Sequence, residues 1–117
     1  MPEPSIRLLV LKTQNLNAVC RFYRSPGLPL SEEQHGSGPL HFAARLGDTV
    51  FEIYPLSESQ TTDTTTRLGF SVADPNEAVS NVENVGGRVV KEPFESAWGY
   101  MAIVTDPDGR TVELYRD

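Results

Sequence analysis

The chain has 117 residues, 22% charged and 38% hydrophobic, the balance of one globular domain rather than of a disordered segment. Its net charge of −6 and pI of about 4.8 argue against general affinity for nucleic-acid phosphates and suit cationic partners. One cysteine, Cys20, excludes an internal disulfide, the opening "MPEPSIRLLVLK" has no cleavage-like site, and no run could span a bilayer, so the expectation is a cytoplasmic protein without nucleic-acid or membrane partners.

The first strand signal is "IRLLVLK". Asn15 then opens "NLNAVCRFYRSPG", where Leu16, Val19, Cys20 and Tyr23 recur at i, i+3, i+4 and i+7, one helical stripe stopped by Pro26-Gly27. Three strand-like runs follow, "LPLSEEQ", "PLHFAARLG" and "TVFEIYP". The polar stretch "SESQTTDTTT", residues 57–66, has no periodicity and reads as a linker. The pattern then starts again. After the strand "TRLGFSV", Asp74 opens "DPNEAVSNVENVGG", with Pro75, Ala78, Val79 and Val82 on one stripe. Asp74 suits the N-cap, Pro75 the first helical position, and Glu77 a capping box. The closing runs are "GRVVKEP", "GYMAIVTDP" and "RTVELYRD", the last preceded by the turn Asp106-Pro107-Asp108-Gly109. Each half reads βαβββ, so the chain carries one unit twice, about 5–56 and 67–117, within a single domain spanning 1–117.

The repeat bears on the carboxylates. Taken alone, Glu113 is a solvent-facing residue of an edge strand. Repeated, it has a counterpart: the last strands of the halves are "FEIY" and "VELY", giving Glu52 with Tyr54 and Glu113 with Tyr115 at equivalent positions. Two carboxylates so placed are expected to face each other across a shared cavity. Arg67 alternates with Gly69 and Ser71 on one face of its strand, leaving Leu68, Phe70 and Val72 to pack under the helices.

The segments "FYRSPGL" and "WGYMAIVTDPDGRTVEL" resemble the vicinal oxygen chelate superfamily, which includes glyoxalase I, bleomycin resistance proteins and extradiol dioxygenases, and the resemblance covers essentially the whole chain. It implies an α+β fold in which the two βαβββ modules curl into a half-open curved-sheet cup. It also implies, for metal-dependent members, a divalent ion held by first- and fourth-strand residues of each module. The fourth-strand positions correspond to Glu52 and Glu113. The first-strand positions fall at Leu8 and Arg67, with Arg7 or Leu68 one residue away. Leucine has no donor atom, and a guanidinium has no lone pair for a cation. Two carboxylates without imidazole make a poor site for zinc, nickel or iron(II), so no metal and no cofactor is expected there. His35 reads as a solvated loop residue and His41 as a third-strand residue with a polar contact to the cup.

What replaces the metal is then Arg67. Its forked donors can take both carboxylates, an ion pair with Glu52 or Glu113 then filling the vacated metal place, or they can leave charge free for a ligand. Tyr54 and Tyr115 share faces with the glutamates, and Trp98 and Tyr100 fall at the third strand. An aromatic cup with few charges has the composition of a small-molecule site. The resemblance to the bleomycin resistance branch implies a non-enzymatic protein that sequesters an aromatic, charged natural product, working as a homodimer. The alternatives are a lyase, isomerase or dioxygenase with an atypical metal-ligand set, and a cup that has lost its ligand and serves only in assembly.

Overall fold

The structure, a computed structural model, describes residues 3–117. The first four strands are β1 (Leu8–Thr13), β2 (Ser31–Glu33), β3 (His41–Leu46) and β4 (Thr49–Pro55), with helix α1 (Leu16–Arg24) between β1 and β2. The second set is β5 (Leu68–Val72), α2 (Pro75–Asn84), β6 (Arg88–Ser96), β7 (Gly99–Thr105) and β8 (Thr111–Arg116). The strands form two four-stranded open sheets of matching order, β1-β4-β3-β2 and β5-β8-β7-β6. In each, the first strand runs parallel to the fourth and the remaining pairs are antiparallel. This is the α+β arrangement of two βαβββ modules expected from the repeat. Neither sheet closes into a barrel. No helix among the described residues is long and apolar enough to cross a membrane.

Strand alternation sorts each sheet into two faces. On one face Phe42 pairs with Ile53 and Ala44 with Phe51 in the first sheet, while Phe70 pairs with Leu114 and Val104 with Val112 in the second. These residues belong to one continuous apolar core that also takes the helix residues Val19, Phe22, Tyr23, Val79 and Val82. The modules are therefore joined through their helix sides. Tyr23 sits at the junction, its ring edge-on to Phe51 at 5.3 Å and to Phe70 at 5.9 Å. Across the same junction Asn81 donates to the Ser25 carbonyl at 3.2 Å.

Local details depart from the sequence reading in instructive ways. The α2 N-cap forms through Asp74, which accepts from Asn76 N–H at 2.9 Å, but among the described residues no bond from Glu77 returns to Asp74, so the capping box is only half made. In α1 the buried stripe includes Phe22 as well as Val19, Cys20 and Tyr23. The reason is Gly87, where an added Cβ would meet the Val82 side chain at 2.4 Å and the Phe22 ring at 2.8 Å. Glycine lets the chain leaving α2 close over the flank of α1 that periodicity leaves outside. The expected strand "LPLSEEQ" shrinks to Ser31–Glu33. Leu28 and Leu30 enter the core ahead of it, and Arg24 holds the Leu30 carbonyl with two hydrogen bonds at 2.9 and 3.0 Å. Its counterpart β6 is longer, nine residues, with register shifts around Val89–Lys91 and Lys91–Phe94.

Candidate functional site

The faces turned away from the core hold the candidate residues. Glu52 lies opposite Ala43 and beside Val10, and Glu113 lies opposite Ile103 and beside Gly69, equivalent places in the two sheets. Ala43 and Met101 are buried on these faces without belonging to the apolar core. Both glutamates are largely shielded, with side-chain exposures of 16% and 14%. A carboxylate that shielded requires partners.

The two glutamates find different partners. Glu113 accepts from both Arg67 and the Tyr115 hydroxyl. The phenol of Tyr115, foremost, and then Arg67 hold the Glu113 carboxyl below its ordinary range, against the opposing effect of burial, and the same bond raises the Tyr115 phenol. Arg67 is itself mostly exposed, so the pair stabilises the fold modestly, on the order of 1 kcal/mol or less. Its outer N–H groups stay open to solvent. Glu52 instead stands 3.8 Å from Nε2 of His41, whose ring stacks on Tyr54 at 4.0 Å between centroids, nearly parallel at 9°. Burial, then the charges of Glu52 and Glu33, raise the Tyr54 phenol.

Within one chain, no hydrogen bond or ion pair among the described residues joins Glu52 to Arg67 or Glu113. Arg67 takes one carboxylate, not two. The helix sides of the sheets meet in the core, so the carboxylate faces open outward. A cleft of about 350 Å³ does run between the modules, but it is lined by Leu9, Phe51, Arg67, Leu68 and Phe70, not by the glutamates.

Two other aromatics are placed differently. Tyr100 alternates with Ala102 and Val104 on the helix side of β7; its hydroxyl donates to Asn76 at 2.9 Å and Arg116 stacks on its ring at 4.5 Å. Trp98 occupies the β6–β7 turn with 81% of its surface exposed. Neither touches Glu113. The family's metal-ligand set does not fit this face either: Leu8 brings no donor and Arg67 is committed to Glu113.

The strongest polar feature went unread in the sequence. Arg110, fully buried, donates to Asp106 at 3.0 Å, to Asp108 at 3.1 Å and to the Lys12 carbonyl at 2.9 Å. Asp106 also accepts from Tyr23 at 2.7 Å, and burial together with that carboxylate drives the Tyr23 phenol far above its usual range. The network ties β1 and α1 to the turn that launches β8. The available signal was an arginine following two aspartates in "DPDGR", which reads locally as a solvated turn.

The depressed Glu113 pKa has a consequence for pH. A group whose folded pKa is lowered contributes stability that is present above its unfolded value, about 4.3 for glutamate, and lost as pH falls through the folded value. Wild type should therefore lose more melting temperature than Glu113→Gln as pH is lowered below about 4.3. Thermal melts from neutral to acid pH check this; parallel curves would contradict it.

Comparison with known proteins adds the following. The family model of the Glyoxalase/Bleomycin resistance protein/Dioxygenase superfamily matches residues 5–114. An uncharacterized protein of Mycolicibacterium smegmatis is 27% identical over 115 residues, covering 98% of this chain and 96% of the relative. Among solved structures, TnmS3, an antibiotic binding protein from Streptomyces sp. CB03234, superposes with a TM-score of 0.73 at 22% identity, covering 99% of this chain and 98% of TnmS3. TioX from Micromonospora sp. ML1 superposes with a TM-score of 0.69 at 21% identity, covering 97% and 98%. At these identities the likeness concerns the fold.

Proposed function

Because this chain belongs to the glyoxalase/bleomycin resistance protein/dioxygenase superfamily, we propose that it is a small-molecule binding protein. Its ligand, aromatic and charged, is held in a cup made from the Glu113 face of one chain and the Glu52 face of a second copy. The observation that carries this reading is the repeated Glu-x-Tyr: on both fourth strands the pair stands on the face that the core does not use. Two such faces of complementary origin, each half-shielded, are the walls a ligand needs. Leu8, 56% exposed on the same face as Glu52, gives that face apolar surface for a partner to cover. That TnmS3 is an antibiotic binding protein supports a small-molecule ligand.

The roles follow from the geometry. Tyr115 and Tyr54 supply aromatic surface, and each is already oriented, one by Glu113 and the other by the His41 ring. The outer N–H groups of Arg67 take an anionic group, and Glu52 takes a cationic one. Trp98 reaches the ligand only as part of the rim. No bond is made or broken, and the protein acts by sequestration in the cytoplasm.

A thermal-shift screen against basic and acidic aromatic compounds tests the reading. Hits are expected to raise the melting temperature of wild type and to lose most of that effect in Tyr115→Ala and Arg67→Met. Compounds that shift all three proteins equally would place the ligand elsewhere.

A further inference from the structure

Sequence spacing assigns His35 to a loop and His41 to a strand with no reason to meet, and the expectation of no metal rested on the first strands of the two modules. The structure brings the two histidines together at another place, on the rim of the first sheet. Glu33 ends β2 opposite His41 at the start of β3. The intervening turn, with Gly36 at φ of 59° and Gly38 N–H donating to the His35 carbonyl at 3.0 Å, folds His35 back over the strand pair. One carboxylate oxygen, Oε1 of Glu33, then lies 3.4 Å from Nε2 of His41 and 3.4 Å from Nε2 of His35.

We propose that Glu33, His35 and His41 form a binding site for a divalent transition-metal ion of the zinc type, with Glu52 in reach as a further donor. The first argument is the proton on His41. Its Nδ1 lies 3.1 Å from the Pro39 carbonyl, which can only accept, so Nδ1 carries the hydrogen. In the neutral ring Nε2 then presents a bare lone pair. That atom is fully buried, makes no hydrogen bond among the described residues, and lies 3.4 Å from Oε1 of Glu33. A bare lone pair this close to a carboxylate is unfavourable, and a proton or a metal cation held between the two relieves it. An Nδ1–H held by a backbone carbonyl is also how metal-binding imidazoles are oriented through their second nitrogen.

The second argument is distance. Zinc bonds of about 2.0–2.2 Å in a tetrahedron put neighbouring donor atoms roughly 3.4 Å apart, the separation found for both Glu33–His contacts. The three donor atoms lie within 4.8 Å of one another, so the longest side closes by a small swing of the exposed His35. Stacking on Tyr54 leaves the His41 ring no such freedom, which gives the site one fixed and one mobile imidazole. Oε2 of Glu52, 3.8 Å from His41, offers a fourth donor or leaves that position to water. Two imidazoles with one or two carboxylates suit zinc far better than magnesium or calcium. The exposed Glu33 and His35 give the ion an entry path from solvent. The inference shares His41 and Glu52 with the ligand-binding face but does not rest on that reading, since Arg67, Tyr115 and the second module take no part in it.

The test is titration of the full chain, without a polyhistidine tag and stripped of metal, with Zn²⁺ against a chromogenic chelator and with Co²⁺ followed in the visible. Wild type should take up one equivalent of Zn²⁺, and its Co²⁺ form should show the intense absorption of tetrahedral cobalt. His35→Ala and Glu33→Gln, both at exposed or half-exposed positions, should keep the metal-free melting temperature and lose Zn²⁺ affinity on the order of a hundredfold. A wild type that fails to compete with the chelator would overturn the proposal. So would variants that bind as wild type does, or a weak octahedral cobalt spectrum.

Discussion

Replacing Arg110 by alanine is expected to cost about 3–5 kcal/mol of folding free energy, the range for removing one partner of a buried ion pair. For a chain of this size the melting temperature should fall by more than about 10 °C. Arg110 has no exposure, and its loss would leave Asp106, itself buried, without its counterion and the Lys12 carbonyl without a donor. Tyr23→Phe removes only the hydroxyl bond to Asp106 and should cost far less, about 1–3 kcal/mol, because Arg110 still satisfies the carboxylate. Urea unfolding of the two variants beside wild type checks the ordering. An Arg110→Ala cost under about 1 kcal/mol would mean that the network is a surface feature, contrary to its burial.

Phe51→Ala should be comparably damaging, at about 3–5 kcal/mol, and its effect should reach both modules. Phe51 stands on β4 of the first sheet, fully buried, with its ring 5.3 Å from that of Tyr23 and 5.7 Å from that of Phe70 in the second sheet. Truncation opens a cavity where three aromatic rings from the two halves meet. Since the halves share a continuous core, the variant should unfold in a single transition at lower temperature, with far-ultraviolet and near-ultraviolet dichroism coinciding. A far-ultraviolet curve with two separate steps would show the halves unfolding separately.

The fold was legible because the sequence repeats itself at three levels at once. Helix stripes, strand endings and turn residues recur in one order, and each local signal agrees with its neighbours. What escaped were features set by contact between the halves. Phe22 is off the α1 stripe and is buried only because Gly87 lets the second module close on it. Arg110 reads as a turn charge and is buried only because α1 and β1 cover it. Tyr100 occupies an ordinary strand position, and its phase relative to Met101 decides which face it joins. The site was half legible for the same reason. Alternation within β8 puts Glu113 and Tyr115 on one face, alternation along β5 puts Arg67 with Gly69 and Ser71, and the structure joins the three directly. Placing Glu52 opposite them depends on how two sheets are disposed, which no local pattern encodes. Its partner in the chain is His41, and the repeat is broken there, since the second module has Met101 at the strand position that pairs with Tyr115.

In the proposed function each cup takes Glu113 and Tyr115 from one chain and Glu52 and Tyr54 from another. The most direct measurement is complementation between two binding-defective variants, Tyr54→Ala and Tyr115→Ala. Light scattering should first give each protein twice the 12.9 kDa chain mass. After the two variants are unfolded together and refolded as a mixture, mixed dimers contain one cup with both tyrosines intact. Binding of a compound identified on wild type should then reappear at a fraction of the wild-type stoichiometry and with wild-type affinity. A monomeric mass, or a mixture that binds no better than either variant alone, would contradict the account.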